Sequence, residues 1–247
     1  RELLGRRIRT RIFDYQHPIV DPQTIFSRFS HILISTPPND EGDPVFNMHA
    51  DDFIHLKNLK WVGYLSSTGV YGDRGGGDVD ENSEIRPTSQ RGSRRVTAER
   101  QWLSLYERYG VPVHIFRLSG IYGPGRDFFI RHIKNNYESL SASTQSFTNR
   151  IHVDDIVAIC AAFHQENMEP GTYLGVDSEP ASQAELYLWM TKELGLSKPQ
   201  LTDERMQNPH RGNKRCSNQK LRGAGFKFRY PTFREGYAAM LKASHSS

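Results

Sequence analysis

The sequence predicts an α/β fold built on a parallel sheet, and three neighbouring segments support that prediction. Trp61–Ser66 is a short apolar run that ends in small hydroxyl residues, and Val111–Leu118 is a second apolar run. Between them, Val96–Tyr109 repeats apolar residues at helical spacing and stops at Gly110. A strand, a helix and a second strand in this order form a βαβ unit, which places both strands in one parallel sheet.

Hydrophobic spacing predicts further elements on both sides of this unit. The expected strands are Arg9–Phe13, His31–Ser35 and Gly171–Val176, and the expected helices are Thr24–Phe29, Phe46–Leu59, Asp127–His132 and Asp155–Phe163. Asp154 is the expected N-cap of the helix that follows it. The polar segment Asn135–Thr148 predicts a loop.

Two capping boxes mark helices in the last third of the chain. Ser182 pairs with Glu185, and Thr232 pairs with Glu235, each with the three-residue spacing that lets a side chain and a backbone N–H satisfy each other. The first of these helices is expected to end at Gly195.

Composition places the chain among soluble globular proteins. It has 247 residues, a net charge of +4 and 36% hydrophobic residues, with a mean hydropathy of -0.64. No run approaches the ~20 apolar residues of a membrane helix, and no signal peptide is visible. The two cysteines, Cys160 and Cys216, fit a reducing compartment without a disulfide framework, so a cytoplasmic location is expected.

A basic cluster raises the question of nucleic-acid binding. It contains Arg86, Arg91, Arg94, Arg95 and Arg100. The cluster has no interleaved stacking aromatics and no helix-turn-helix or zinc spacing around it. A solvated or anion-facing helix start therefore explains it better than a nucleic-acid interface.

Motifs along most of the chain resemble one superfamily. They are Ser66-Ser67-Thr68-Gly69-Val70-Tyr71-Gly72, Asp80-Glu81, Pro87, Ala98-Glu99, Arg117 to Gly125, Arg150 to Ile156, Ser217 to Leu221 and Tyr230-Pro231. In this order they resemble the extended, or atypical, short-chain dehydrogenase/reductase superfamily, in its NAD-dependent epimerase/dehydratase branch.

The resemblance implies a Rossmann-like, doubly wound parallel sheet with a small C-terminal substrate lobe. Residues 1–125 would form the dinucleotide-binding domain, with 150–176 returning to it, and 126–149 and 177–247 would form the lobe. No strand–GxGxxG–helix fingerprint is present, because Gly75–Gly77, Gly123–Gly125 and Gly223–Gly225 all have the context of turns. We therefore expect the first strand, glycine loop, first helix and second strand of such a domain to lie upstream of Arg1.

The implied cofactor is NAD or NADP. The residue that distinguishes the two follows the second strand, so the sequence leaves this choice open. The resemblance assigns cofactor contacts to Asp14, Ser35, Thr36, Pro37, Ser66, Arg95, Ser119 and Ile121. For Asp14, a turn aspartate at the end of a strand is an equally good interpretation.

The usual catalytic pair of this superfamily is absent. Its members carry a tyrosine as general acid/base and, four residues later, a lysine; counted back from Ala98-Glu99, these positions hold Arg91 and Arg95. Arginine does not deprotonate in a protein, so Arg91 cannot be the base, although it can supply a fixed positive charge. Arg95 remains a candidate to grip ribose hydroxyls or a phosphate.

The remaining site candidates follow from the same resemblance. Ser67 matches the catalytic hydroxyl position, so Ser67, Arg91 and Arg95 are the candidate catalytic residues. Thr68, Tyr71 and Arg150 are the candidate substrate contacts, with Arg150 facing a substrate phosphate or carboxylate. The alternative for Ser67 and Thr68 is strand-end capping, and the alternative for Tyr71 is packing.

Two tyrosines and one histidine are further candidates for proton transfer. Tyr71 and Tyr122 are the nearby phenols that could replace the acid, although tyrosines in such turns usually pack. His152 beside Asp154 resembles a base, but its segment belongs to the strand and helix that join the lobe. No Cys/His cluster has zinc spacing, so no metal is predicted.

Two functions remain open from the sequence. One is an NAD(P)-dependent oxidoreductase or isomerase of the epimerase/dehydratase type, acting on a nucleotide sugar or a similar small hydroxylated substrate. The other is a non-catalytic NAD(P)-binding sensor or scaffold that has lost the Tyr-x-x-x-Lys pair. The expected partner is a small-molecule substrate, with neither membrane nor nucleic acid; a homodimer is compatible with the sequence, which leaves the oligomeric state open.

Overall fold

The computed structural model describes residues 2–3, 6–7, 9–136, 141–165, 168–204 and 212–245. Its strands are β1 Glu2–Leu3, β2 Arg6–Arg7, β3 His31–Ile34, β4 Trp61–Ser67, β5 Asp78–Val79, β6 Val113–Leu118, β7 Gly120–Tyr122, β8 Ser141–Ser143, β9 Phe147–Thr148, β10 Arg150–His152, β11 Gly171–Gly175, β12 Ala181–Ser182, β13 Gln200–Thr202 and β14 Arg215–Cys216. Its helices are α1 Pro22–Phe26, α2 Pro44–Ile54, α3 Gln90–Tyr109, α4 Phe128–Asn136, α5 Val153–Gln165, α6 Gln183–Glu193, α7 Gln219–Gly223 and α8 Phe233–His245, with a 3₁₀ turn at Thr68–Tyr71.

The centre of the fold is a four-stranded sheet in the order β11-β6-β4-β3, and every pairing in it is parallel. All six residues of β6 are buried, as expected of a strand covered on both faces. The predicted βαβ unit and parallel sheet are therefore confirmed.

Helix α3 connects β4 to β6 and starts earlier than the apolar pattern predicts. Ser89 caps it by accepting a hydrogen bond from Gly92 N at 3.2 Å, and Gly110 ends it in the left-handed conformation at φ 70. The first turn carries polar residues that give no apolar periodicity, so the spacing alone missed six residues. Trp102, fully buried, anchors the helix on the sheet.

Two segments differ from the prediction. Arg9–Phe13 forms no strand, because no described strand lies beside it to complete a ladder, and four of its five residues are exposed. The predicted loop Asn135–Thr148 is wrong in part. It contains β8 and β9, which pair with the distant strands β13 and β12 and so leave no local sequence pattern.

The C-terminal part builds a core of its own around α4, α6 and α8. Ile133, Leu186, Met190 and Tyr237 are buried at its centre. The capping box of Ser182 and Glu185 is present and starts α6. These features confirm the helix that the first capping box predicts.

The chain then returns to the central sheet. β14 pairs in parallel with β5, and Leu221 of α7 is fully buried beside Trp61 and Phe116. Both cysteines are free thiols. In the part of the chain that the structure describes, no helix is long and apolar enough to cross a membrane.

Candidate active site

The site is built at the carboxyl ends of β4 and β6, where a parallel sheet opens toward its ligands. The register pairs Ser67 with Leu118, so the residues that follow the two strands emerge side by side. Ser67 caps the 3₁₀ turn by accepting a hydrogen bond from Gly69 N at 3.1 Å. Thr68 begins that turn and is 7% exposed.

Helix α3 begins directly against this turn. A Cβ added at Gly92 would lie 3.0 Å from Gly69 O and 3.0 Å from the Pro87 Cβ, so the glycine allows the close approach. The first turns of α3 carry Arg91, which is exposed, and Arg95, which is half-buried. The structure therefore brings both arginines to the helix that starts beside Ser67.

Arg95 is directed at the strand rather than at solvent. Its guanidinium donates to Leu65 O at 2.5 Å and to Tyr64 Oη at 3.1 Å, and it stacks over the Tyr64 ring at 5.7 Å. Part of its donor capacity is thus used by the fold. Its predicted grip on a ribose or a phosphate stays a prediction for the remaining donors.

A buried hydrogen-bonded cluster lies beneath the site. Arg117 donates to both carboxylate oxygens of Glu99 at 2.8 to 3.2 Å, and Ser66 Oγ donates to the same carboxylate. Arg117 also donates to Tyr71 Oη at 2.7 Å. All four residues are at most 5% exposed. We call Ser66, Tyr71, Glu99 and Arg117 the buried quartet.

The quartet corrects two sequence assignments. Ser66 donates its hydroxyl to Glu99 and Tyr71 is fully buried against Arg117, so the fold gives both side chains internal partners. Burial also raises the pKa of Tyr71, which makes it a weaker acid. The sequence motifs contain Glu99 and Arg117 but do not indicate that the two residues pair. The feature that could have revealed the pair is an arginine inside the apolar strand Val113–Leu118.

Arg150 lies on the other side of the site. β10 pairs with β7, with Arg150 opposite Gly120, and a Cβ at Gly120 would lie 3.5 Å from an Arg150 Nη. A side chain at Gly120 would therefore be in direct contact with the guanidinium. The guanidinium carbon of Arg150 lies 4.9 Å from the centre of the Phe129 ring and 5.9 Å from the centre of the Tyr237 ring.

Several polar atoms around Arg150 have no hydrogen bond within the described residues. They are Arg150 Nε, Tyr122 Oη and Asp177 Oδ2. Asp177 is 2% exposed, and its burial raises its pKa well above the usual range of a carboxyl, while the charge of Arg150 opposes that shift. We call Tyr122, Arg150 and Asp177 the open cluster.

Tyr122 and His152 have structural roles here. Burial raises the pKa of Tyr122, and its ring stacks on Tyr237 at 4.3 Å. His152 Nδ1 accepts a hydrogen bond from Asp154 N at 3.1 Å, which requires the ring to carry its proton on Nε2, and burial lowers its pKa. Helix α5 begins at Val153, so His152 rather than Asp154 caps it; the prediction of Asp154 as N-cap is wrong.

The cofactor candidates fall into two groups. Ser35, Thr36 and Pro37 follow β3, whose register pairs Ile34 with Tyr64, so they emerge beside the end of β4. On the other flank, Ser119 N donates to Gly175 O at 3.2 Å and Ile121 is half-buried opposite Ile151. Both groups lie at the ligand edge of the sheet.

Asp14 is separate from them. It is exposed, and Oδ1 accepts hydrogen bonds from Gln16 N and His17 N at 2.9 and 3.0 Å, which lowers its pKa to about 2. This is the turn-aspartate interpretation. No described contact joins Asp14 to the residues after β3.

The glycine-rich segments are turns, as the sequence predicts. Gly75, Gly76, Gly123, Gly125 and Gly225 all have positive φ, and none of the segments lies between a strand and a long helix. Among the described residues, no group of three or more His, Cys, Asp or Glu is placed to hold a metal ion.

Comparison with known proteins agrees with this architecture. Residues 50–174 match the family model described as NAD dependent epimerase/dehydratase family. A functionally unknown conserved protein from Silicibacter pomeroyi DSS is 32% identical with a TM-score of 0.77, covering 94% of this chain and 82% of its own. A putative NAD-dependent epimerase/dehydratase from Methylobacillus flagellatus is 30% identical with a TM-score of 0.64, covering 81% and 71%.

A more distant structure shows the same fold. UDP-glucuronic acid 4-epimerase from Bacillus cereus, in complex with UDP-glucuronic acid and NAD, is 16% identical with a TM-score of 0.68, covering 88% of this chain and 76% of its own. No curated protein matches the sequence. The family match, together with the parallel sheet and the site at its carboxyl edge, shows that the chain belongs to the NAD-dependent epimerase/dehydratase family.

Proposed function

We propose that the protein is an NAD(P)-dependent oxidoreductase or isomerase of the epimerase/dehydratase kind, acting on a nucleotide sugar or a similar small hydroxylated anion. The observation that supports this most directly is the position of Ser67, the first turns of α3 and Arg150 around the adjoining ends of β4 and β6. Three arginines on this edge favour an anionic substrate.

Each residue has a proposed role. The Ser67 hydroxyl, which accepts from Gly69 N, keeps its own proton to donate to a substrate oxygen. Arg91 places a fixed positive charge beside that oxygen, and Thr68 lines the turn. Arg150 binds the substrate phosphate or carboxylate through donors that the fold leaves unused. The carboxylate and diphosphate of UDP-glucuronic acid, bound by the Bacillus cereus neighbour, illustrate such a substrate.

The described residues fit one end of the dinucleotide. Ser35, Thr36 and Pro37 on one flank and Ser119 and Ile121 on the other frame a space at the sheet edge, and Arg95 lies between them on α3. When bound, NAD(P) supplies a hydride donor and acceptor. The turn Gly123–Gly125 lies between β7 and α4 but lacks the third glycine of a GxGxxG loop, and the other two glycine-rich turns do not lead from a strand into a helix. We therefore derive no step through the pyrophosphate part of the cofactor.

A second function is favoured by one specific observation. Arg91 and Arg95 occupy the positions of the general base and its lysine partner, Tyr71 and Tyr122 are buried, and His152 serves as a helix cap. The arginines do not deprotonate and the two tyrosines and the histidine are buried, so none of these five side chains is a ready general base. This favours a non-catalytic NAD(P)-binding sensor or scaffold as the alternative.

The deciding experiment measures binding and turnover separately. Calorimetry with NAD(H) and NADP(H) on the purified protein tests the cofactor. Assays with UDP-glucose, UDP-glucuronic acid and dTDP-glucose then test turnover. Binding with turnover supports the enzyme, binding without turnover across the panel supports the sensor, and the absence of dinucleotide binding overturns both.

Arg91→Ala sharpens the result. If Arg91 faces the reacting oxygen, the substitution lowers kcat/KM about 10²-fold or more, as loss of one charge-stabilising donor does in other enzymes. Arg100→Ala removes another exposed arginine of α3, nine residues further along the helix, and serves as the matched control. Equal activity of the two variants would show that Arg91 does not take part in the reaction.

A further inference from the structure

A second polar groove lies outside the candidate active site. It has a volume of about 510 Å³, within the range of small-ligand sites, and lies between β5, the segment after β11 and the β14–α7 junction. It is lined by Asp78, Asp80, Ser83, Asp177, Ser178, Arg215, Ser217, Asn218, Gln219 and Arg222, with Val79, Pro180 and Cys216. One of these residues, Asp177, also belongs to the open cluster beside Arg150; the others are not among the candidates for the site at β4 and β6.

The segment around β14 contacts both the loop after the 3₁₀ turn and the groove. Lys214, just before β14, donates from Nζ to Gly72 O at 3.1 Å. Its neighbour Arg215 pairs with Asp78 at 3.0 Å and lines the groove together with Cys216 and Ser217.

The floor of the groove is rigid and holds one unsatisfied acceptor. Asn218 is 4% exposed, and its Nδ2 donates to Val176 O at 3.1 Å and to Ser178 Oγ at 3.0 Å. Asp177 is 2% exposed; Oδ1 accepts from Glu179 N at 3.3 Å, whereas Oδ2 has no partner among the described residues. A buried polar atom without a partner is unfavourable, and a hydrogen-bond donor that reaches it offsets that cost.

The rim supplies one uncommitted cation. Arg215 is neutralised by Asp78 and stacks on Phe147 at 5.1 Å. Arg222 is exposed and forms no ion pair with any residue in the described ranges. The groove therefore combines a hydroxyl-binding carboxyl at its floor with a free guanidinium at its edge.

We propose that this groove is a second ligand site for a small hydroxylated anion, such as a sugar acid or sugar phosphate, with a hydroxyl on Asp177 and the anionic group on Arg222. Further hydroxyls of the ligand would hydrogen-bond to the hydroxyl groups of Ser178 and Ser217 and to the amide of Gln219. The groove adjoins the proposed active site at Asp177, whereas Arg222 belongs to the groove alone, so substitution of Arg222 tests the groove without touching the proposed function.

Calorimetric titration with gluconate, 6-phosphogluconate and glucose 6-phosphate tests the site, with glucose and inorganic phosphate as single-feature controls. We expect saturable binding of at least one hydroxylated anion, at least tenfold tighter than either control. Arg222→Gln should weaken it at least tenfold, whereas Lys227→Gln, an exposed basic residue outside the groove, should leave it unchanged.

Asp177→Ala should also abolish binding, and unfolding curves show whether that variant folds. Because Arg222 is exposed, its variant keeps the test decisive if Asp177→Ala does not fold. No saturable binding of any of the three anions overturns the proposal. So does equal weakening by Arg222→Gln and Lys227→Gln. NAD(H) titration of the same samples reports on the other site separately.

Discussion

Two buried charged clusters near the sheet edge differ in how completely their polar atoms are paired. The buried quartet uses Arg117, Glu99, Ser66 and Tyr71 to satisfy one another, and none of its side-chain atoms lacks a hydrogen bond within the described residues. In the open cluster, Tyr122 and Asp177 are buried to a similar extent and Arg150 is half-buried, and three polar atoms have no hydrogen bond within the described residues.

The difference indicates different roles. A satisfied polar network fixes the relative position of the elements that carry it, here β4, α3 and β6. Unpaired buried groups cost free energy unless a ligand or ordered water completes them. We therefore interpret the quartet as the support of the site and the open cluster as a surface prepared for polar ligands.

Breaking the quartet should give the largest effect. Glu99→Ala leaves the Arg117 charge buried without its partner, so we expect a loss of about 3–5 kcal/mol in the free energy of unfolding, measured by urea titration. The exposed pair Asp40 and Arg94 provides the control, because Asp40→Ala removes a solvated pair. A Glu99→Ala effect no greater than that of Asp40→Ala would show that the quartet does not support the fold.

Crowding the open cluster should have an intermediate effect. A Cβ at Gly120 would lie 3.1 Å from Asn149 O, which must shift, and 3.5 Å from the Arg150 guanidinium, so Gly120→Ala moves the backbone before Arg150 and places a methyl group against its guanidinium. We expect a loss of about 1–3 kcal/mol in stability together with weaker binding of an anionic substrate. Gly223→Ala, where a Cβ meets no atom within 4 Å, is the matched control. Unchanged binding of the anionic substrate by Gly120→Ala would show that Arg150 does not contact the substrate.

Removing one charge from the open cluster should give the smallest effect, and it depends on pH. The pKa of Asp177 is raised by burial, so the folded state holds its proton more tightly than the unfolded state, and stability falls as pH rises above about 3.8. Asp177→Asn removes this loss, so its stability relative to the natural protein should improve from pH 4 to pH 7. Asp80→Asn, at an exposed carboxyl, is the control. A pH-independent difference would show that Asp177 does not titrate differently on folding.

Local sequence predicted the βαβ unit well, for identifiable reasons. Val111–Leu118 and Trp61–Ser66 are apolar runs of strand length, and Gly110 supplies the left-handed cap that ends α3. The start of α3 was missed because its first turns carry Arg91 to Arg95, whose charge hides the helical spacing. The strand predicted at Arg9–Phe13 is wrong because a strand needs a paired neighbour as well as an apolar pattern.

The sequence named several residues of the candidate site, but it predicted the placement of their side chains only in part. Ser67, Arg91, Arg95 and Arg150 were named from the sequence, and the structure brings them to the same edge of the sheet. Ser66 and Tyr71 were named as ligand contacts, yet both belong to the buried quartet. Whether a side chain faces a ligand or an internal partner depends on residues 18 to 46 positions away, which no local pattern reports.

The sequence by itself determined the family, the parallel sheet and the loss of the Tyr-x-x-x-Lys pair, because each depends on residue type at short, ordered spacing. Only the tertiary structure decided which polar atoms are consumed. It pairs Glu99 with Arg117, it sets Arg150 opposite Gly120, and it leaves one oxygen of Asp177 without a hydrogen bond among the described residues. Hydrogen bonding and burial are properties of neighbours in space, and here those neighbours come from distant parts of the chain.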